Sequence, residues 1–367
     1  MPAARAATES RVHIEGEDNV HGVQGNQRTG CGQTRARHPP PPCESSAGLP
    51  PHAPRGHTVS PGAGSTAARA DVAEPVTVAV IGTGAIGRDL VSKIDRSPAL
   101  DCRLVAGRSP ESAGLRYAES LGYATSAAGI EALLAAPRPF DVVFDATSAA
   151  SHRDHWPLLE PLGTLVIDLT PSRIGRMVAP TVTGVSAATG RNVNLISCGG
   201  QASVPVAHAL AARFPVTYLE VVSTVASDVA GRATRMNLDE YVATTGHALT
   251  AFSGVSDVKA ILNISPAVPP ATFRTAVHAR MAGADPVQVR AVADRAAEEV
   301  RCFAPGYEVT ACTAVGDRVT ITLQVMAHSD VLPPYAGNLD IINSAAVLVA
   351  EQYAARPDRM SRTGVAS

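Results

Sequence analysis

The sequence predicts an α/β fold: a Rossmann-type, doubly wound parallel sheet followed by a second, α+β domain. Three observations carry this. Short apolar runs alternate with helical stretches from residue 76, a Gly-rich turn joins the first run to the first helix, and longer strands replace that texture after residue 215.

In chain order, VTVAVIG (76–82), CRLVAG (102–107), DVVFDAT (141–147), TLVIDL (164–169) and NVNLIS (192–197) are near-continuous apolar runs, as strands buried on both faces should be. Residues 85–96 and 111–121 carry apolar positions at helical spacing, and EALLAA (131–136) closes another crossover before Pro137. A helix is expected over 204–214. Beyond it, TYLEVVSTVAS (217–227), YEVTACTAV (307–315) and RVTITLQVM (318–326) read as longer strands, the last two joined as an antiparallel hairpin across Gly316-Asp317. Asp285 before Pro286 starts a helix whose stripe is Val289, Val292, Ala296, Val300 and Phe303, and 338–355 is the final helix. The organisation expected is a dinucleotide-binding domain over 75–197 completed by helix 338–355, an α+β domain over 198–333, and a flexible stretch at 356–367.

Residues 1–74 differ from the rest. They hold HPPPPCESSAGLPPHAP and no apolar periodicity, so they read as a disordered Pro/His/Arg-rich tail. Across all 367 residues the formal net charge is −2, which argues against a surface that tracks nucleic-acid phosphates, while Lys only at 93 and 259 reads as coding bias rather than function. Apolar runs stop well short of the ~20 residues a membrane-spanning helix needs. Six scattered cysteines without Cys-x-x-Cys spacing suit a reducing cytoplasm, and no ligand-spaced cluster predicts a metal.

Two motifs carry chemistry. Gly82-Thr83-Gly84-Ala85-Ile86-Gly87 follows the first strand and opens the first helix. There Gly82 permits the turn, Gly84 lets backbone approach a pyrophosphate, and Gly87 lets helix pack on sheet. The second strand ends Ala106-Gly107-Arg108-Ser109, without the carboxylate that would bind a ribose 2′-OH, so local chemistry leans to NADP tolerance beside NAD. The second motif, Ser197-Cys198-Gly199-Gly200-Gln201, puts a thiol where a strand gives way to a helix. Backbone N–H groups there favour thiolate, and the glycines give a substrate carbonyl clearance. Cys102, Cys302 and Cys312 read as small buried hydrophobes, and Cys31 and Cys43 fall in the tail. A nucleotide-binding half plus a cysteine nucleophile implies aldehyde oxidation through a thioester, with water, phosphate or a coenzyme thiol as acceptor.

With AVIGTGAIG, VVFDATSA (142–149), VIDLTP (166–171), SCGGQASVP (197–205), segment 227–240 and PYAGNLDI (334–341), the chain resembles the acylating acetaldehyde dehydrogenases over residues 76–355. The resemblance implies acetaldehyde, NAD and coenzyme A as reactants, Cys198 as acyl carrier, and a substrate and dimerisation role for the second domain in a homo-oligomer. It implies dinucleotide contacts from residues 83–86, from Ser227, Ala230, Gly231 and Arg235, and from Asn338. It also implies a 4-hydroxy-2-oxovalerate aldolase partner and a place in aromatic catabolism. The chain departs from the family at Ala85, where Asn is usual, at Ser109, where Asp is usual, and at Thr275, where an acid would be placed to act as base for the thiol; its hairpin at Gly316-Asp317 is short. His152 and His155 read as solvated residues on the helix after FDATSA. His208 reads as a helix-face residue, His247 and His278 have no decided role, and Asp239 and Glu240 read as an acidic helix start or as approaching the site. The competing readings are an acyl-phosphate reductase of the semialdehyde dehydrogenase type and a catalytically impaired, cofactor-binding partner of an aldolase.

Overall fold

A computed structural model describes residues 74–184 and 191–356, with 232 and 233 described in backbone only. The expected tails at 1–74 and 356–367, apart from Glu74 and Arg356, lie outside the described residues, as do Cys31 and Cys43. The chain runs β1 (Val76–Ile81), α1 (Ala85–Arg96), β2 (Leu100–Ala106), α2 (Ala113–Ser120), β3 (Thr125–Ser126), α3 (Ile130–Leu134), β4 (Val142–Asp145), α4 (Ala149–Leu159), β5 (Leu165–Asp168), β6 (Arg176–Met177), α5 (Pro180–Thr183) and β7 (Asn192–Asn194). It continues through α6 (Cys198–Arg213), β8 (Val216–Ala226), α7 (Arg232–Met236), α8 (Leu238–Ser253), β9 (Val258–Ser265), β10 (Arg274–Met281), α9 (Pro286–Arg301), β11 (Tyr307–Val315), β12 (Arg318–Val325) and α10 (Gly337–Ala354).

The first sheet has the order β3-β2-β1-β4-β5-β7-β6 and is parallel throughout. Successive residues of β1 face opposite sides. Val76, Val78 and Val80 pack with Leu90 and Ile94 of α1 and with α10, while Ala79 and Ile81 pack with Leu133 and Leu159 on the other side. Helices therefore cover both faces. The strand order turns back between β1 and β4, where an open α/β sheet leaves its ligand crevice.

The second sheet, β11-β12-β10-β8-β9, is antiparallel except for the β8–β9 pair. One face of it carries Val221, Val277, Ile321 and Leu323 against Leu210 of α6 and Val289, Ala293 and Val300 of α9. Helix α10 joins the two cores, with Ile341 in the second and Ile342, Ala346 and Val349 in the first.

Several expectations need correcting. Helix α6 begins at Cys198, not at 204, because Ser197 caps it by accepting from Gly200 N at 2.9 Å and burial carries the helix across the Gly-Gly pair and Pro205. Cys302 is exposed rather than buried: it follows α9 two residues after the inward Val300, about 200° round the helix. Strands β9 and β10 join those expected. The hairpin holds, with Val315 paired to Arg318 across Gly316-Asp317 and Gly316 at φ +63°.

Candidate active site

Gly82 sits at φ +106°, and a Cβ there would lie 2.5 Å from Ala146 O, so the end of β1 is pressed on the residue after β4. A Cβ on Gly87 would lie 1.8 Å from Gly82 O, which forces glycine where the helix crosses the turn. Gly84 is different. It is the α1 N-cap, exposed, with no side-chain cap and nothing within 4 Å of a would-be Cβ. The helix N-terminus thus keeps its N–H groups and dipole open to an anion. Ala85 is exposed beside it, and Ile86 turns into the cleft described below.

The end of β2 reaches the same loop. Ser112 Oγ donates to Thr83 Oγ1 at 2.7 Å, and a Cβ on Gly107 would come 2.8 Å from Thr83 Cγ2. Arg108 and Ser109 follow Gly107 as exposed residues. Ser227, Ala230, Gly231 and Arg235 form a turn that Arg235 staples, donating through Nε to Ala230 O at 3.0 Å and through Nη2 to Ser227 Oγ at 2.8 Å. None of these four lines the cleft.

Cys198 is the first residue of α6 and opens into a cleft of about 690 Å³, counting its open mouth, at the C-terminal ends of β4 and β5. Of the residues expected from sequence, Ile86, Cys198 and Asn338 meet there. Aliphatic side chains such as Ile196, Val225, Leu262 and Ile342 make up much of the wall. Thr234, within the 227–235 segment expected to contact the dinucleotide, also lines it, as do Thr147, Thr170, Asn237 and Tyr241, to which no role is assigned from sequence. Thr147, Thr170, Thr234 and Asn237 lie inside the family-like strings, whereas Tyr241 lies just beyond segment 227–240 and no local motif marks it.

The thiol is held against two opposing influences. Burial pushes it up, to about 11, and outweighs the Tyr241 hydroxyl, the Gly199 and Cys198 N–H groups and Asn338, all of which pull it down. The expected N–H effect is present, but it does not by itself give a thiolate. The glycines also act differently from expectation. A Cβ on Gly199 would fall 2.0 Å from the Tyr241 hydroxyl and 2.5 Å from Ser223 Oγ, so this glycine makes room for protein hydroxyls behind the thiol. Thr275 is buried on β10, with its Oγ1 3.1 Å from Ser223 Oγ.

Three polar atoms of the wall, Asn338 Oδ1, Thr170 Oγ1 and the Tyr241 hydroxyl oxygen, are buried without a hydrogen-bond partner of full geometry. Buried polar groups are usually paired, so these point to a ligand with donors of its own. Together with the open Gly84 N-cap they fit a dinucleotide laid from the β1–α1 turn toward Cys198.

Beneath the wall lies a buried charge cluster, which overturns the solvated reading of His152 and His155. His152 is fully buried and its Nδ1 donates to Asp145 Oδ2 at 3.0 Å, while His155 Nδ1 donates to the same oxygen at 2.9 Å. His152 Nε2 lies 3.6 Å from Asp168 Oδ2. Burial would raise Asp145, but its two histidine hydrogen bonds hold it at about 2. Burial raises Asp168 to about 6 against the pull of His152, Ser172 and Thr170. Asp145 also accepts from Thr147 Oγ1 at 2.5 Å and Asp168 from Thr170 N at 2.7 Å, so the cluster holds two residues of the wall. The other ionisable side chains do less: His208 Nδ1 bonds Phe252 O at 2.6 Å on a helix face, and Asp239 and Glu240 stay at the start of α8, where Glu240 meets Arg153 at 3.9 Å.

Comparison with known proteins bears on this geometry. The family described as semialdehyde dehydrogenase, NAD binding domain, matches residues 77–213, and the family described as prokaryotic acetaldehyde dehydrogenase, dimerisation, matches residues 198–333. An acetaldehyde dehydrogenase of Streptomyces griseus is 83% identical over 305 residues, which are 83% of this chain and 99% of that protein. One from Pectobacterium atrosepticum is 45% identical over 280 residues, 75% of this chain and 95% of its own length. Among solved structures, aspartate semialdehyde dehydrogenase II of Vibrio cholerae superposes with a TM-score of 0.52 at 13% identity, covering 80% of this chain and 100% of that one, a likeness of fold alone.

Proposed function

Because the chain belongs to the acetaldehyde dehydrogenase family, we propose that it oxidises acetaldehyde or a related small aldehyde on Cys198 and passes the acyl group to coenzyme A. The enzyme is an NAD-binding oxidoreductase. The observation that carries the thioester step is the position of Cys198, first residue of a helix and opening onto a cleft beside the dinucleotide turn. A nucleophile there attacks the aldehyde carbon, and the N–H groups at the helix start steady the oxygen as charge develops on it.

In this reading Gly82, Thr83, Gly84 and Ala85 carry the pyrophosphate, Gly87 allows the turn, and Ile86 and Asn338 flank the nicotinamide. Ser227, Ala230, Gly231 and Arg235 form the stapled turn behind Thr234 and Asn237. Bound NAD supplies a two-electron acceptor. Arg108 and Ser109 stand where the adenosine ribose ends, and NADP is accepted as well. The aliphatic wall suits a small uncharged aldehyde; an acyl-phosphate reductase of the semialdehyde type would need cationic side chains for its anionic substrate. The dimerisation match supports self-association. Association with a 4-hydroxy-2-oxovalerate aldolase belongs to the same proposal.

Cys198→Ser tests it. The variant should lose at least ~10²-fold in CoA-dependent aldehyde oxidation while binding NADH normally, because a hydroxyl is a far weaker nucleophile than a thiol at this position. Turnover near the wild-type rate would contradict the thioester.

A further inference from the structure

We propose that the Tyr241 hydroxyl is a catalytic residue that carries the proton of the Cys198 thiol to the aldehyde oxygen during addition. The proposal rests on Cys198 being the nucleophile and says how a half-buried, protonated thiol can act as one.

Tyr241 lies in the first turn of α8 and lines the cleft with Cys198. Its hydroxyl is buried, and although it has no hydrogen-bond partner of full geometry, the Cys198 thiol, Ser223 and the Gly199 N–H are its hydrogen-bonding neighbours. An O–H set among these groups can donate to the sulfur or to an oxygen bound in the cleft. The space it occupies is specific. Gly199, next to the nucleophile, is the one residue type that leaves the oxygen room, since a Cβ would fall 2.0 Å from it. Among the described wall residues, the titratable side chains are Cys198 and Tyr241 themselves. Behind them Ser223 and Thr275, both buried, continue a run of hydroxyls with 3.1 Å between their oxygens.

The step balances without any further reagent. The Sγ–C bond forms as the carbonyl π pair moves onto oxygen. The Sγ–H bond breaks with its proton passing to the Tyr241 oxygen, and the phenol's own proton passes to the aldehyde oxygen. The product is a neutral thiohemiacetal, and Tyr241 ends as the phenol it began as. Nothing is oxidised or reduced at this stage. Because burial keeps both thiol and phenol protonated, a transfer that never isolates a buried anion is the one the cleft favours.

The test uses the full-length protein and two readouts. In Tyr241→Phe, alkylation of Cys198 by iodoacetamide at mildly alkaline pH, followed by peptide mass spectrometry, should slow about tenfold, because the thiolate loses a hydrogen-bond donor. Aldehyde oxidation should fall ~10²-fold, with NADH binding retained. Turnover within about threefold of wild type together with unchanged alkylation overturns the proposal. An active Cys198→Ser variant would instead overturn the thioester reading on which it rests. Should Tyr241→Phe fail to fold, 3-fluorotyrosine at position 241 keeps the shape and acidifies the phenol. The pH inflections of alkylation and turnover should then both move down, and inflections that stay in place overturn the proposal.

Discussion

Cys198, Gly199 and Tyr241 show how much a single position can and cannot disclose. A thiol between an apolar run and a Gly-Gly pair was legible as a nucleophile candidate, since few other roles need glycine beside cysteine. What Gly199 clears was not legible, because Tyr241 and Ser223 arrive from α8 and β8, far along the chain. Gly84 and Gly87 were readable for the opposite reason, since the geometry they serve is local to one turn, whereas Gly82 is also pressed on Ala146 after β4. Ser109 gives a prediction at this scale. Exposed beside Arg108 and the Thr83 loop, it leaves room for a 2′-phosphate that a guanidinium can bind through its fork of N–H donors. Wild type should use NADPH appreciably, and Ser109→Asp should shift the ratio of kcat/KM values toward NADH about tenfold, equivalent to ~1.4 kcal/mol. Steady-state kinetics with both cofactors checks this; an unmoved ratio would mean that residue 109 does not face the ribose.

Strands read from continuous apolar runs lie within a few residues of β1, β2, β4, β5 and β7, because strands covered on both faces leave no polar alternation to confuse them. β10 escaped notice although Thr275, Val277, Ala279 and Met281 alternate inward, since His278 and the flanking arginines dilute the apolar signal. α4 misled for a related reason. His152 and His155 lie one turn apart and look like a solvated face, yet that face turns onto Asp145 at the end of β4. The consequence is a pH-dependent stability. Asp168 and His152 both have raised values in the folded chain, so their contributions are full at low pH and are lost as pH rises, for Asp168 between 3.8 and about 6. Asp145, lowered to about 2, contributes above 3.8, and that share is lost as pH falls toward about 2. His152→Ala removes the partner shared by two buried carboxylates and should cost ~3 kcal/mol near neutral pH. At pH below about 6 the loss should be smaller, because Asp168 is then protonated. Denaturant unfolding at two pH values measures both; a loss independent of pH would mean that Asp168 does not ionise in the fold.

In the whole molecule, the fold class was legible because both textures, parallel α/β and alternating antiparallel, are written in residue periodicity. The convergence of distant residues on one cleft was not. Ile86 from α1, Thr147 after β4, Thr170 after β5, Cys198 from α6, Tyr241 from α8 and Asn338 from α10 meet there, and only the path of the chain between the two sheets brings them together. Helix α10 belongs to that convergence, since its first turn supplies Asn338 while the rest is packed into both cores. The central claim is that this cleft makes a thioester on Cys198 when a dinucleotide and an aldehyde are both present. The direct measurement is peptide mass spectrometry of enzyme quenched after mixing with NAD and acetaldehyde and without coenzyme A. The account predicts one acetyl group on the Cys198 peptide, dependent on NAD and discharged by added coenzyme A. Sustained turnover with Cys198 unmodified at every time point, or an acetyl group on another cysteine, would contradict it.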